Sequence, residues 1–145
     1  MIIVDASVVM KWFVEEELHA KAKRLRQAFA QLAAPDFMLL EVANIAWKKV
    51  RRGELSAAAA MAIGADLRSS PLLLLSTTAL IDDALATAIE IDHPVYDCPY
   101  LAAALQQRGI CLTADRRLCT RIASTRFADH FLPLAEVDTV IAQFG

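Results

Sequence analysis

Met1-Ile-Ile-Val-Asp5 opens this chain with four apolar residues that run straight into a carboxylate, and Ile110-Cys-Leu-Thr-Ala-Asp115 repeats the pattern far downstream. Short continuous apolar runs of this kind read as buried strands, and a helical pattern follows each at once. Pro94-Val-Tyr-Asp97 supplies a third aspartate after apolar residues. It follows the turn-like His93-Pro94 and reads better as a helix start. In an open α/β sheet, ligands bind outside the carboxyl ends of the strands, so two acids at strand ends and one at a helix start can share a crevice.

Working outward, strands are expected at Met1–Asp5, around Ala33–Pro35, at Leu72–Leu75, Ile110–Thr113 and Phe131–Leu134. Helical patterns lie between them, at Ser7–Val14, Glu16–Gln31, Phe37–Arg52, Ser56–Ser69, Ile81–Ile91, Cys98–Arg108, Arg116–Ser124 and Glu136–Phe144. The alternation predicts the α/β class, with a central parallel sheet of about five short strands and helices on both faces. Gly53 and Gly109 each follow a basic last turn, as C-caps do, while Ser56 and Asp97 open helices. No internal repeat, low-complexity tract or long linker divides the chain, so residues 1–145 are expected to form a single domain.

Composition limits the setting. A hydrophobic content of 57% with 22% charged residues argues against disorder. The longest apolar stretch, the alanine-rich Ala57 to Ala65, falls well short of a membrane span. The start lacks a basic leader and places Asp5 inside what would be an apolar signal region, so a cytoplasmic location is expected. Cys98, Cys111 and Cys119 are odd in number and include no C-x-x-C pair, which fits a reducing compartment and small core residues. His19, His93 and His130 are scattered, against a structural zinc site. His93 reads as a turn residue, with a place on the rim of the cleft as the alternative.

Aspartate is also a good helix N-cap, and Asp97 and Asp115 can be read as nothing more. The two readings are compatible, because a capping carboxylate keeps a second oxygen free. Glu41 is different. It interrupts Phe37-Met-Leu-Leu-Glu41-Val-Ala-Asn44-Ile-Ala-Trp47, a helix expected to be buried on most of its circumference. Glu41, Asn44 and Lys48 line one stripe of that helix. A lone buried carboxylate costs several kcal/mol unless paired, hydrogen-bonded or bound to metal. The alternative is an exposed stripe ending in a salt bridge; a cleft-lining carboxylate is preferred.

Four carboxylates in one cleft repel each other, so some should hold protons above their usual pKa until a divalent cation removes the penalty. Mg²⁺ prefers oxygen ligands and bridges carboxylates to substrate phosphate, which suits an acid set without histidine or thiolate. One ion would acidify a water as nucleophile, and a second, about 4 Å away, would stabilise the leaving oxygen. The net charge of −2 is unusual for a nucleic-acid binder. Its distribution answers that objection. Lys48, Lys49, Arg51 and Arg52 cluster at the end of the glutamate helix, Arg116, Arg117 and Arg121 follow the last aspartate, and Lys21, Lys23, Arg24 and Arg26 lie on the second helix. Charge runs are usually solvated helix faces, and C-terminal cations favour the helix dipole. The first two groups, however, flank the expected cleft, where they would hold a phosphate backbone.

Ile3-Val-Asp5-Ala-Ser7, Leu39-Leu-Glu41-Val-Ala-Asn44, Tyr96-Asp97-Cys-Pro-Tyr100-Leu-Ala-Ala-Ala104 and Leu112-Thr-Ala-Asp115 occur in that order over nearly the whole chain. Together they resemble the PIN domain, and especially the VapC-like toxins. The resemblance implies a metal-dependent endoribonuclease, the toxin of a type II toxin–antitoxin pair. It implies that Asp5, Glu41, Asp97 and Asp115 are catalytic and bind one or two Mg²⁺ or Mn²⁺ ions. Ser7, Asn44 and Thr113 match polar positions beside them, although Ser7 also reads as a helix cap and Thr113 as a β-branched strand residue. Some relatives place an acid in the turn after the last aspartate; here Arg116-Arg117-Leu118-Cys119 follow, which counts against a tightly held second ion. RNA as substrate, a cognate antitoxin and a second copy of the chain are the implied partners. An apolar surplus at Trp12, Phe13, Leu39, Leu40 and Trp47 agrees with protein partners.

Two other functions compete. An aspartyl-nucleophile phosphatase, another Mg²⁺-dependent phosphate hydrolase, wants a second aspartate two residues after Asp5, where this chain has Ser7. A non-catalytic RNA-binding or protein-interaction module of the same fold has no need of four intact acids.

Overall fold

The computed structural model describes residues 1–145. Its five strands are β1 (Ile2–Val4), β2 (Leu32–Pro35), β3 (Leu72–Leu75), β4 (Ile110–Thr113) and β5 (Phe131–Pro133). They form one sheet in the order β3-β2-β1-β4-β5, with every neighbouring pair parallel. Each lies within one residue of its expected ends. Eight helices connect and flank them: α1 (Ala6–Met10), α2 (His19–Ala28), α3 (Met38–Arg51), α4 (Ala57–Arg68), α5 (Thr77–Ile91), α6 (Cys98–Gln106), α7 (Arg116–Ile122) and α8 (Val137–Phe144).

All residues of β1, β2 and β4 are buried, so both faces of the sheet centre are covered, as parallel sheets require. Helix α6 is the most enclosed helix, with Cys98 through Ala104 all buried. Its run of alanines lets it sit close to β1, β2 and β4. The strand order reverses direction at β1, whose neighbours are β2 on one side and β4 on the other. The carboxyl ends of β1 and β4 therefore form the switch point at which such sheets open a crevice.

Several expectations need correction. The helix expected over Glu16–Gln31 begins only at His19, because Leu18 adopts a left-handed φ of 66° that a helix interior does not allow. The glutamates before it lie in a loop. Helix α1 stops at Met10 rather than Val14, the Lys11 N–H bonding back to Val8 O and tightening the end. Helix α5 starts at Thr77, four residues before Ile81. Asp36, just past β2, accepts hydrogen bonds from the Thr77 N–H at 3.1 Å and from its hydroxyl, which fixes that first turn.

Gly53 does take the left-handed conformation of a C-cap, with φ 72°. Gly109 does not; Arg108 before it does, at φ 49°. Gly109 is required instead because a Cβ there would lie 2.0 Å from the Met1 carbonyl oxygen, where the loop enters β4 against the chain start. Helix α3 is not buried on most of its circumference. Only the stripe Met38, Val42 and Ala46 is buried, while Leu40 and Trp47 are 76% and 52% exposed. Of the other residues in the expected apolar surplus, Trp12 is buried in the core, and Phe13 and Leu39 pack partly against it. No helix is long and apolar enough to cross a membrane. All three cysteines are free thiols, two of them buried.

Candidate active site

The register Val4↔Leu112 brings the next residues, Asp5 and Thr113, side by side at the ends of β1 and β4. The consequence is a short hydrogen-bonded bridge between the two strands. The Thr113 hydroxyl donates to Asp5 Oδ2 and accepts from the Asp115 N–H at 2.9 Å. The Ser7 hydroxyl donates to Asp5 Oδ1 at 2.6 Å and accepts from the Ala114 N–H at 2.9 Å. Asp5 also caps α1 through the Val8 N–H at 3.0 Å. Each hydroxyl thus gives one bond and takes one, and both hold the same carboxyl in place. Ser7 supports that carboxyl and leaves the capping of α1 to Asp5.

Asp5 is 8% exposed. Burial pushes its carboxyl above the ordinary value; the bonds from Ser7, Thr113 and Val8 pull it back, and the charge of Asp97 adds to the rise. Glu41 reaches the same region from α3. Its carboxyl is pushed up to about 7, first by burial and then, against the lowering bond from Tyr100, by the charges of Asp97 and Asp5. Asp97 therefore lies near enough to Asp5 and Glu41, and Asp5 near enough to Glu41, to oppose their ionisation. Asp115 stands further out. It is exposed, and its Oδ1 caps α7 through the Arg117 and Leu118 N–H groups at 2.9 and 3.1 Å. Cys119, on α7, lies within reach of both Asp5 and Asp115: burial, then their charges, push its thiol up to about 11.

Each acid has taken a local donor. The buried Tyr100 hydroxyl donates to Glu41 Oε2, and burial and the glutamate raise its own pKa, so it stays a donor. His93 Nε2 lies 2.7 Å from Asp97 Oδ2. Arranged in this way, no three His, Cys, Asp or Glu side chains stand close enough to hold one ion. The donor chemistry nevertheless fits a hard dication. All four groups are carboxyls, and the local bonds engage only Oε2 of Glu41, Oδ2 of Asp97 and Oδ1 of Asp115, leaving one oxygen free on each.

Tyr100 and His93 are the partners that reading the residues did not single out as such. Tyr100 lies three residues after Asp97 in the first turn of α6, and His93 four before it in the connection that follows α5. Asn44 is exposed one turn beyond Glu41, which is held instead by Tyr100. Phe37, packed against the Tyr100 ring at 5.3 Å between centroids, fixes that tyrosine from the start of α3.

Two adjoining grooves, of about 390 Å³ and 310 Å³, meet beside Asp115. The first is lined by Ser7, Lys11, Lys48, Lys49 and Arg52, the second by Lys11, Arg116 and Arg117. Arg51 lies apart, stacked 5.1 Å from the Trp47 ring. Arg121 is also elsewhere, donating to the Ile91 and Asp92 carbonyls at the end of α5. The cations of α2 form a solvated face, with Lys21 and Arg24 paired to Asp138 and Arg26 over Trp12.

The profile of the PIN domain family matches residues 2–123, a span that contains all four acids. This chain belongs to the PIN domain family. Among its relatives, Ribonuclease VapC3 of Pyrobaculum aerophilum is 34% identical over 122 residues, covering 83% of this PIN domain chain and 93% of that protein. The crystal structure of PAE2754, also from Pyrobaculum aerophilum, superposes with a TM-score of 0.72 at 24% identity, over 98% of this chain and 89% of that one. VapC20 of Mycobacterium tuberculosis, described as a sarcin-ricin loop cleaving toxin, superposes at 0.61 with 21% identity over 75% and 85% of the two chains. At those identities the structures speak to the fold, and they agree with the five-stranded parallel sheet of this PIN domain.

Proposed function

We propose that this PIN domain is a divalent-metal-dependent endoribonuclease and the toxin of a type II toxin–antitoxin pair. The observation that carries the reading is the gathering of Asp5, Glu41 and Asp97 at the carboxyl ends of the central strands, where Asp97 helps raise the Asp5 carboxyl and both aspartates help raise that of Glu41, beside a groove lined with lysine and arginine. Asp5, Glu41, Asp97 and Asp115 are the residues that would hold Mg²⁺ or Mn²⁺. One or two such ions, when bound, supply electrostatic stabilisation of the phosphodiester under attack and acidify the attacking water.

The chain's own residues do the rest. Ser7 and Thr113 fix the Asp5 carboxyl to both strand ends, so it cannot swing away from the crevice. Tyr100 and His93 each hold one oxygen of Glu41 and Asp97 and leave the other to face the site. With its carboxyl pushed up to about 7, Glu41 is about half protonated near neutral pH, and it would hold a cation as the deprotonated carboxylate. Lys48, Lys49 and Arg52 on one side of Asp115, and Arg116 and Arg117 on the other, receive the phosphates flanking the cut.

Two apolar surfaces support the protein partners. The groove between α3 and α4, about 420 Å³ and lined by Val42, Trp47, Met61 and Leu67, suits an amphipathic segment of the antitoxin. Ile81, Leu85 and Ile89 form an exposed stripe on α5, 49%, 52% and 73% accessible, which suits a second copy of the chain. Purified protein incubated with structured RNAs and Mg²⁺ or Mn²⁺ should cut them, and EDTA or Asp97→Asn should abolish cutting. Equal cutting by the variant would place the activity outside this cluster.

A further inference from the structure

Glu15-Glu16-Glu17 lies in the loop between α1 and α2, and two of these acids reach into the cationic grooves. Glu16 bonds Lys11 at 2.8 Å through one oxygen and Lys49 at 2.7 Å through the other. Glu17 bonds Arg116 at 3.0 Å on the opposite wall. The two lysines are nearly enclosed, with side chains 11% and 13% exposed, and they come from different elements: Lys11 from the end of α1, Lys49 from α3. Lys11 lines both grooves, so it stands where they meet beside Asp115.

Two ammonium groups converging on two oxygens of one anion is an arrangement that a phosphodiester, with two non-bridging oxygens, can take over. The loop that supplies the carboxylate ends at Leu18, a branched residue held at φ 66°, so its conformation is strained. Glu17 is 77% exposed and gives the loop little further hold. We propose that Lys11 and Lys49 form a receiving position for an RNA phosphate next to the acidic cluster, which Glu16 occupies in the free protein as a displaceable internal counterpart. This rests on the ribonuclease reading above. It makes RNA compete with the protein's own carboxylate, which weakens binding of any strand that cannot also engage the rest of the groove.

The test uses the full chain in EDTA, so that RNA is bound and not cut. A fluorescein-labelled single-stranded RNA of mixed sequence is titrated across a NaCl series, with melting curves to verify folding. Glu16→Gln should bind about five-fold more tightly, with a salt slope steeper by about 0.7, the value of one further phosphate contact on a single strand. Lys11→Gln should bind more weakly with a shallower slope, and adding it to Glu16→Gln should remove the gain. A folded Glu16→Gln protein that binds RNA equally or less well overturns the proposal. Should that variant not fold, an unchanged slope in Lys11→Gln overturns it. If the parent protein cuts RNA with Mg²⁺ or Mn²⁺ while these slopes stay fixed, the phosphate position alone is wrong. If the parent neither cuts nor binds RNA, the ribonuclease reading fails and the phosphate position falls with it.

Discussion

Replacing Glu41 by glutamine should make the metal-free protein more stable at alkaline pH while destroying its activity. In the folded chain, burial and the charges of Asp97 and Asp5 hold the Glu41 carboxyl at about 7 rather than the ordinary 4.5. Between those values the folded state binds more protons than the unfolded one, so stability from this group is full below pH 4.5, declines with rising pH and is lost above about 7. For a carboxyl wholly cut off from water that rise corresponds to about 3 kcal/mol. Glu41 is only half-buried, and solvent screening brings the figure to about 1–2 kcal/mol. Glutamine keeps an oxygen for the Tyr100 hydroxyl but carries no charge. In a chain of this length the difference corresponds to a melting temperature about 3–6 °C higher at pH 8 in EDTA. At pH 4 the two proteins should melt together. Differential scanning calorimetry of both across that range isolates the effect, since every other titrating group is shared. A glutamine variant that melts at or below the parent at pH 8 would refute the crowding of carboxylates inferred around Glu41.

Two further outcomes follow from named contacts. Thr113→Val removes the hydroxyl between Asp5 and the Asp115 N–H and leaves a buried Asp5 oxygen and a part-buried N–H without that partner; it should lower stability by about 1–3 kcal/mol in chemical denaturation and reduce RNA cleavage as well. Leu85→Glu places a charge in the middle of the α5 stripe; light scattering should change from dimer to monomer mass, with cleavage of RNA retained if each copy holds a complete site.

The sheet was legible because a parallel sheet covered on both faces leaves continuous apolar runs, and the β1 and β4 runs are of that kind. Thr113 beside Asp5 then follows from register alone. Other features depend on information that periodicity does not carry. Leu72–Leu75 looks the same as a central strand, yet β3 lies at the sheet edge with Leu73 and Leu74 part-exposed. Helix α3 reads as buried because its apolar residues exceed what the core uses; composition does not distinguish a surface kept for a partner from one facing the core. The start of α2 was misplaced because nothing about a leucine announces a left-handed backbone. Tyr100 on Glu41, and Glu16 on Lys49, join residues far apart in sequence whose meeting depends on how helices pack.

The charge arrangement explains how a chain of net −2 can work on a polyanion. An acidic cluster strong enough to attract a dication also repels phosphate, and at physiological salt that repulsion reaches about 8 Å. Cations are therefore useful to the substrate only when they line the approach itself, as Lys11, Lys48, Arg52 and Arg117 do. Left unopposed, such a groove would hold any nucleic acid without regard to shape. Glu16 and Glu17 neutralise part of it from within, so a strand gains the full set of contacts only if it is placed well enough to displace them. Selectivity, on the proposal above, begins with carboxylates outside the acidic cluster.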